Sequence, residues 1–198
     1  MNMLRRLALV LLAVGLVACA SPEGRIMDDS EEDYVGKDAA GAASYDRLIE
    51  GAVQKLLQQH SATGRGVDQL KIACLEFENA GSEELGDWQN QLFDLINTSI
   101  NQSMRYRTIS DRFVSAGLRE TRLRRDDLFI PAKRRQFIDV MESAGNPVDA
   151  LLFPKLTTGS TRGEDTRQRN YLLTLELVDV KTGENEQVSE RLRKAYTN

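Results

Sequence analysis

Apolar and polar positions along the chain follow two periods, and each period predicts one kind of element. Across Leu48–Leu57 the apolar residues recur every three or four positions, which predicts a helix with one buried face and Ser44 as its N-cap. The stretch Leu70–Phe77 is apolar on both alternating faces apart from Lys71 and Glu76. Such a stretch is typical of a central strand that is covered on both sides.

Helical spacing returns in the middle of the chain. A long helix over Leu85–Met104 is followed by a short strand at Tyr106–Ser110. Asp111 is the predicted cap of a third helix, and Pro131 opens a fourth helix that stops at Gly145. The residues predicted to face inward from these two helices are Phe113, Val114, Leu118, Phe137, Ile138, Met141 and Ala144.

The last third of the chain has the pattern of strands. The predicted strands are Ala150–Thr157, Tyr171–Leu177 and Val188–Ala195. Pro154 cannot donate to a strand ladder and therefore predicts an edge position or a bulge, and residues 158–166 are predicted to form a polar loop. The sum is an α/β fold, a single domain with helices packed on a four- to five-stranded mixed sheet.

The amino terminus has the pattern of a lipoprotein signal peptide in residues 1–18. Arg5 and Arg6 form a positive region, and an apolar run too short to span a bilayer follows and leads to Leu16-Val17-Ala18-Cys19. The small residue before Cys19 suits cleavage, and the thiol of Cys19 can carry a diacylglyceryl thioether. The sequence therefore predicts lipidation at Cys19. The alternative is an ordinary cleaved signal with Cys19 as a bystander.

Two or more acyl chains hold a protein stably at a bilayer, whereas one chain binds reversibly. Ala20 follows the lipidation site, where lipoproteins retained in the inner membrane usually carry aspartate. We therefore expect a lipid anchor in the outer membrane, with the protein facing the periplasm.

The segment after the anchor, residues 19–44, is predicted to be an acidic flexible linker, and residues 45–198 the globular domain. Residues 20–44 contain seven acidic residues against Arg25 and Lys37, with few apolar side chains that could offset the entropy lost on ordering. Without residues 1–18 the chain keeps 24 basic and 30 acidic residues, a formal charge of -6. That balance does not favour nucleic-acid binding.

Residues that could support catalysis are scarce. The only histidine, His60, has no acidic residue nearby in sequence, and Cys74 lies among apolar residues of a predicted strand, where a thiol is usually inert. The pairs Glu83-Glu84 and Asp126-Asp127 are typical of solvated turns. No glycine-rich phosphate loop or zinc-ligand spacing occurs. We therefore expect no catalytic residues, no metal site and no cofactor.

One segment carries an unusual charge. Residues 105–135 hold ten basic residues against four acidic ones, and many of them bracket the predicted break between the third and fourth helices. Such a patch could bind an acidic protein surface, anionic lipid or cell-wall polymer, or it could be a merely solvated helical face. The predicted partner-binding residues are Arg119, Arg122, Arg124, Arg125, Lys133, Arg134 and Arg135.

The order of elements and several motifs resemble the outer-membrane lipoproteins of the LpoB type, activators of penicillin-binding proteins. The resemblance rests on the cleavage box and on three stretches: Tyr34-Val35-Gly36, Tyr106–Arg112 and Leu177–Gly183. The last motif, Asp-x-x-Thr-Gly, also occurs in the similar amino-terminal domain of TolB and in the secretion lipoprotein CsgG. The chain departs from the LpoB pattern after this motif, where Glu184–Gln187 replaces the usual tryptophan.

The resemblance implies a lipid-anchored periplasmic regulator that binds and stimulates a peptidoglycan synthase. The implied partner is a bifunctional penicillin-binding protein, and the regulator would act as a monomer. The alternative is a structural or secretion-system lipoprotein of the CsgG type. That alternative requires an insertion able to form transmembrane strands, and no apolar-alternating hairpin beyond the core is evident in the sequence.

Overall fold

The computed structural model describes residues 40–62, 69–162 and 166–197. The predicted signal peptide, Cys19 and the linker as far as residue 39 lie outside the described residues, as does the Tyr34-Val35-Gly36 motif. Within the described residues, no helix is both long enough and apolar enough to cross a membrane.

The described elements follow one another in an α/β order. The helices are α1 (Ala42–Ala62), α2 (Trp88–Gln102), α3 (Asp111–Thr121) and α4 (Pro131–Ser143), with a 3-10 helix at Arg125–Phe129 between α3 and α4. The strands are β1 (Leu70–Cys74), β2 (Glu78–Asn79), β3 (Tyr106–Thr108), β4 (Ala150–Arg162), β5 (Thr166–Asp179) and β6 (Asn185–Thr197).

The strands form one mixed sheet in the order β3-β1-β4-β5-β6, with the short β2 also paired to β4. Strand β1 is parallel to both β3 and β4, whereas β5 is antiparallel to both β4 and β6. The predicted fold class, a single α/β domain on a mixed sheet, is confirmed.

Helices pack on both faces of this sheet. On one face α1 and α2 bury a large cluster that includes Leu48, Ile96 and Leu175. On the other face α3 and α4 bury a smaller cluster that includes Val114, Phe137 and Leu151. The alternating residues of β1 enter both clusters, which is why its sequence is apolar on both faces.

Pro154 lies inside the sheet and not on an edge strand, and the structure explains how it is accommodated. β1 pairs with β4 as far as Leu152, and β2 resumes the pairing at Lys155, so Pro154 faces the gap between them. No ladder donor is needed there, and the Pro154 carbonyl accepts a hydrogen bond from Nη2 of Arg125 at 3.4 Å. The expectation of an edge position was wrong, whereas the expected irregularity is present in the neighbouring chain, where residues 75–77 lie opposite residues 153–154.

Other differences concern the ends and faces of elements. Residues 158–162 of the predicted loop 158–166 belong to β4 and Thr166 belongs to β5, because the two strands continue to pair as far as Arg162 and Arg167, while residues 163–165 lie outside the described residues. Helix α1 begins at Ala42, and buried Ser44 lies in its first turn, with its N–H donating to the Gly41 carbonyl. Phe113 was predicted to face inward, but its exposure is 53%.

Candidate functional site

The predicted basic segment folds into a structured turn, here called the arginine hinge and comprising residues 119–135. Helix α3 ends because Arg122 adopts a left-handed conformation with φ of 57°. The Leu123 N–H then donates to the Leu118 carbonyl at 3.0 Å, which closes the helix end. The 3-10 helix follows and leads directly into Pro131 at the start of α4. This backbone fixes which side chains of the hinge reach solvent.

The seven basic residues of the hinge divide into two groups. The exposed group is Arg119, Arg122, Arg124 and Arg135. The remaining three, Arg125, Lys133 and Arg134, are half-buried or buried and contact other parts of the domain. Only the first group is free to meet a partner without rearrangement of the hinge.

Arg125 links the hinge to the sheet. Its guanidinium forms an ion pair with Glu78 of β2 and lies 5.3 Å from the centre of the Phe153 ring. Only 16% of its side chain is exposed. Arg125 therefore holds the 3-10 helix against β2 and β4, a structural role.

Lys133 and Arg134 also make contacts within the domain. Lys133 pairs with Asp127 at 2.6 Å, and a carboxylate oxygen of Asp127 accepts the Arg124 N–H at 2.9 Å. The hydrogen bond from Lys133 is the main cause that lowers the pKa of Asp127. Arg134 is buried against Gly183 in the β5–β6 turn, where a Cβ would lie 2.7 Å from its Nη2.

That turn contains the Asp-x-x-Thr-Gly motif, and its residues serve the backbone. Oδ1 of Asp179 accepts the N–H groups of Lys181 and Thr182, both at 2.8 Å. Gly183 has φ of +76°, a conformation that suits glycine. The motif therefore specifies a tight hairpin turn.

Exposed apolar side chains accompany the free arginines of the hinge. Phe129 and Ile130 are 44% and 47% exposed, and the Phe129 ring stacks on Phe153 with a centroid distance of 4.5 Å. Aromatic and arginine side chains are enriched at protein interfaces. The sequence pattern missed these two residues because a short 3-10 helix has no period that shows which residues face outward.

The hinge borders an open part of the sheet. Phe129 and Arg125 line a hollow of about 120 Å³ together with Lys155 of β4 and Gln187 of β6. Farther along the same strands a groove of about 480 Å³ is lined by β4, β5 and β6 residues that lie side by side in the register. We call this groove the open sheet face; the residues that define it here are Thr157, Gly159, Asn170, Leu172, Arg191 and Arg193.

The histidine and the cysteine considered for catalysis are both buried. Cys74 is 1% exposed, and burial raises the pKa of its thiol, so the reactive thiolate is disfavoured. His60 is also buried, and tertiary folding brings its Nδ1 to 3.3 Å from Glu186, a partner that is distant in sequence. Among the described residues, no group of three or more histidine, cysteine, aspartate or glutamate side chains could hold a metal ion.

Comparisons with known proteins identify the fold. No family model and no curated protein matches the chain. The LpoB C-terminal domain from Escherichia coli matches with a TM-score of 0.51 and 14% identity, over 75% of this chain and 97% of that one. The LpoB C-terminal domain from Salmonella enterica matches with a TM-score of 0.48 and 16% identity over the same shares. The domain therefore has the LpoB C-terminal fold, as the motifs predicted.

Proposed function

We propose that this chain is a lipid-anchored periplasmic regulator that binds and stimulates a peptidoglycan synthase of the bifunctional penicillin-binding class. The domain has the LpoB C-terminal fold, and the motifs that resemble the LpoB type supply the partner class. The signal peptide and Cys19 supply the anchor in the outer membrane. The protein acts by binding, without chemistry of its own.

The single observation that carries the binding role is the outer surface of the arginine hinge. Three exposed arginines, Arg119, Arg122 and Arg124, precede the exposed apolar pair Phe129 and Ile130 along the chain, and a fourth, Arg135, follows it. A planar guanidinium can pair with a carboxylate through two hydrogen bonds, and apolar side chains supply contact area at the centre of an interface. This surface therefore suits an acidic partner surface with an apolar centre.

Charge reversal tests this proposal. Arg122→Glu with Arg124→Glu should weaken binding to the cognate synthase by about tenfold or more, because two attractive contacts become repulsive. Stimulation of glycan polymerisation should fall in parallel. Wild-type binding should weaken with added salt, because the Debye length is about 8 Å at physiological ionic strength.

The matched control is Arg105→Glu with Arg107→Glu, which reverses two exposed arginines beside β3 and outside the hinge. This control should bind as the wild type does, and circular dichroism checks the fold of both variants. Wild-type affinity and salt dependence in the hinge variant would contradict the proposal. The search would then move to the open sheet face and its Arg191 and Arg193.

The anchor is tested separately. Cys19→Ser removes the thiol that the thioether requires, so the variant should remain unprocessed or leave the membrane fraction, while the domain still folds. Membrane fractionation measures the outcome. Wild-type levels of the variant in the outer membrane would refute lipidation at Cys19, and wild-type protein in the inner membrane would refute the sorting signal at Ala20.

A further inference from the structure

Another concave surface lies at the carboxyl ends of the parallel strands β1 and β3, next to the first residue of the arginine hinge. After β1 the chain passes to α2 on one face of the sheet, and after the adjacent β3 it passes to α3 on the other face. Neighbouring strands whose connections leave in opposite directions open a crevice between them, and ligands of open α/β sheets bind at such switch points.

The structure contains this crevice, with a volume of about 360 Å³. Its apolar lining comes from Phe77 after β1, Phe93 of α2, and Val114 and Leu118 of α3. Two carboxylates line it as well, Glu76, two residues after the end of β1, and Asp111 at the start of α3. The crevice therefore combines apolar walls with negative charge.

Both carboxylates are available to a ligand. Glu76 and Asp111 are exposed, and neither forms an ion pair with any described residue. Asp111 accepts one hydrogen bond, from Oγ of Ser115 at 3.3 Å, which leaves its other oxygen open. Glu76 lies in an acidic stretch, since residues 68–104 carry seven acidic residues against Lys71 alone, whereas Asp111 is followed in the chain by the exposed Arg112.

We propose that this crevice binds a basic side chain, arginine or lysine, presented by a partner protein. The long aliphatic stem of such a side chain suits the walls formed by Phe77, Phe93 and Leu118, and its cationic head can reach Glu76 and Asp111. The volume lies near the lower end for ligand sites, so it takes one or two side chains. The carboxylates disfavour phosphate or any other anion.

The crevice is lined by residues other than those of the hinge, so its proposed ligand does not depend on the proposed function. Its charge is also opposite to that of the hinge. A partner that used both surfaces would present acidic residues to the hinge and a basic residue to the crevice. Such opposed charges fix the orientation of a partner, because the reversed arrangement brings like charges together.

An NMR titration tests the crevice directly. The protein is the full chain with Cys19→Ser, labelled with nitrogen-15, and the probe is N-acetyl-arginine N-methylamide. Amide shifts should change at residues 76–77, 89–93 and 111–118. The citrulline analogue has nearly the same shape without the charge, and it should bind about tenfold more weakly. The same loss is expected for the arginine probe with Glu76→Gln, or with Glu76→Gln and Asp111→Asn together.

The matched control is Asp139→Asn with Glu142→Gln, which removes two exposed acidic groups from α4 outside the crevice. It should bind the arginine probe as the wild type does. The proposal is overturned if the citrulline or leucine analogue binds equally well, if the shifts spread over the whole surface, or if Glu76→Gln, folded by circular dichroism, keeps full binding. If magnesium or calcium displaces the probe and shifts the amides of Glu76 and Asp111 directly, the crevice is a metal-cation site and the proposal of a basic side chain is overturned.

Discussion

The two faces of β5 differ in how far helices cover them. The covered face contributes to the stability of the domain, whereas part of the other face remains accessible for binding. On the side of α1 and α2, Tyr171, Leu173, Leu175 and Leu177 are all buried along the strand. On the opposite side Val178 packs in the second cluster, whereas Leu172 is half-buried and lines the open sheet face. One strand therefore belongs to the core through one face and to a solvent-accessible surface through the other.

The cause is the length of the elements. Strands β4, β5 and β6 have 13 or 14 residues, while α3 and α4, with 11 and 13 residues, cover the part of the sheet that includes Leu151, Phe153 and Val178. A residue rises about 3.3 Å in a strand and 1.5 Å in a helix, so the strands extend beyond the helices. The uncovered part is free to contact partners at little cost in stability.

The largest expected effect tests the comparison on β5 itself. Leu175→Ala should lower the free energy of unfolding by about 2 to 5 kcal/mol, because Leu175 is 0% exposed and its removal leaves a cavity. Leu75→Ala, also 0% exposed, should cost a similar amount on the other face. The matched control, Leu172→Ala on the same strand, should cost less than about 1 kcal/mol. Urea denaturation measures all three, and equal losses for Leu175 and Leu172 would contradict the assigned faces.

A smaller effect is expected at the β5–β6 turn. Gly183→Ala should destabilise the domain by about 1 to 2 kcal/mol, since alanine is strained at φ of +76° and its Cβ would press on the buried Arg134. Gly159→Ala is the control, because no atom lies within 4 Å of the added Cβ and its φ is not positive. Thermal melts of the two variants should differ. A Gly183→Ala protein as stable as the control would contradict both the expected backbone strain and the expected contact with Arg134.

The smallest effect concerns pH and the Lys133–Asp127 pair of the hinge. The pKa of Asp127 is lowered in the folded protein, so its contribution to stability is present above the ordinary carboxyl pKa of 3.8 and is lost as the pH falls through the lower folded value. Asp127→Asn removes this contribution. The stability difference from the wild type should therefore be seen at neutral pH and shrink in acid. A difference independent of pH would point to packing instead.

Much of the fold could be predicted because the buried faces are long and periodic. Helix α1, strand β1 and the alternation of β5 each carry enough apolar positions for the period to identify the element. The wrong predictions concern residues whose position depends on an adjacent strand or helix. Pro154 is tolerated inside the sheet only because β1 and β2 leave a gap beside it. Phe113 follows the helical period closely enough to suggest burial, yet no element covers it among the described residues.

In the candidate sites, too, some features could be predicted from the sequence and others were decided by tertiary contacts. The sequence alone was enough to predict that positive charge concentrates between α3 and α4, and that an acidic stretch precedes it, because charge is a property of composition. Only the tertiary structure decided which basic residues face solvent. Arg122 and Arg124 point outward, while Arg125 forms an ion pair with Glu78, a residue 47 positions away.

The physical reason is that a long basic side chain can either stay solvated or become partly buried beside an opposite charge, and sequence does not reveal which option is available. The same reason applies to the crevice. Glu76 and Asp111 are 35 positions apart in the sequence and share a site only because β1 and β3 are neighbours in the sheet. Local periodicity determined the elements, composition determined the net charge of each segment, and the pairing of distant strands determined which of those charges share a surface.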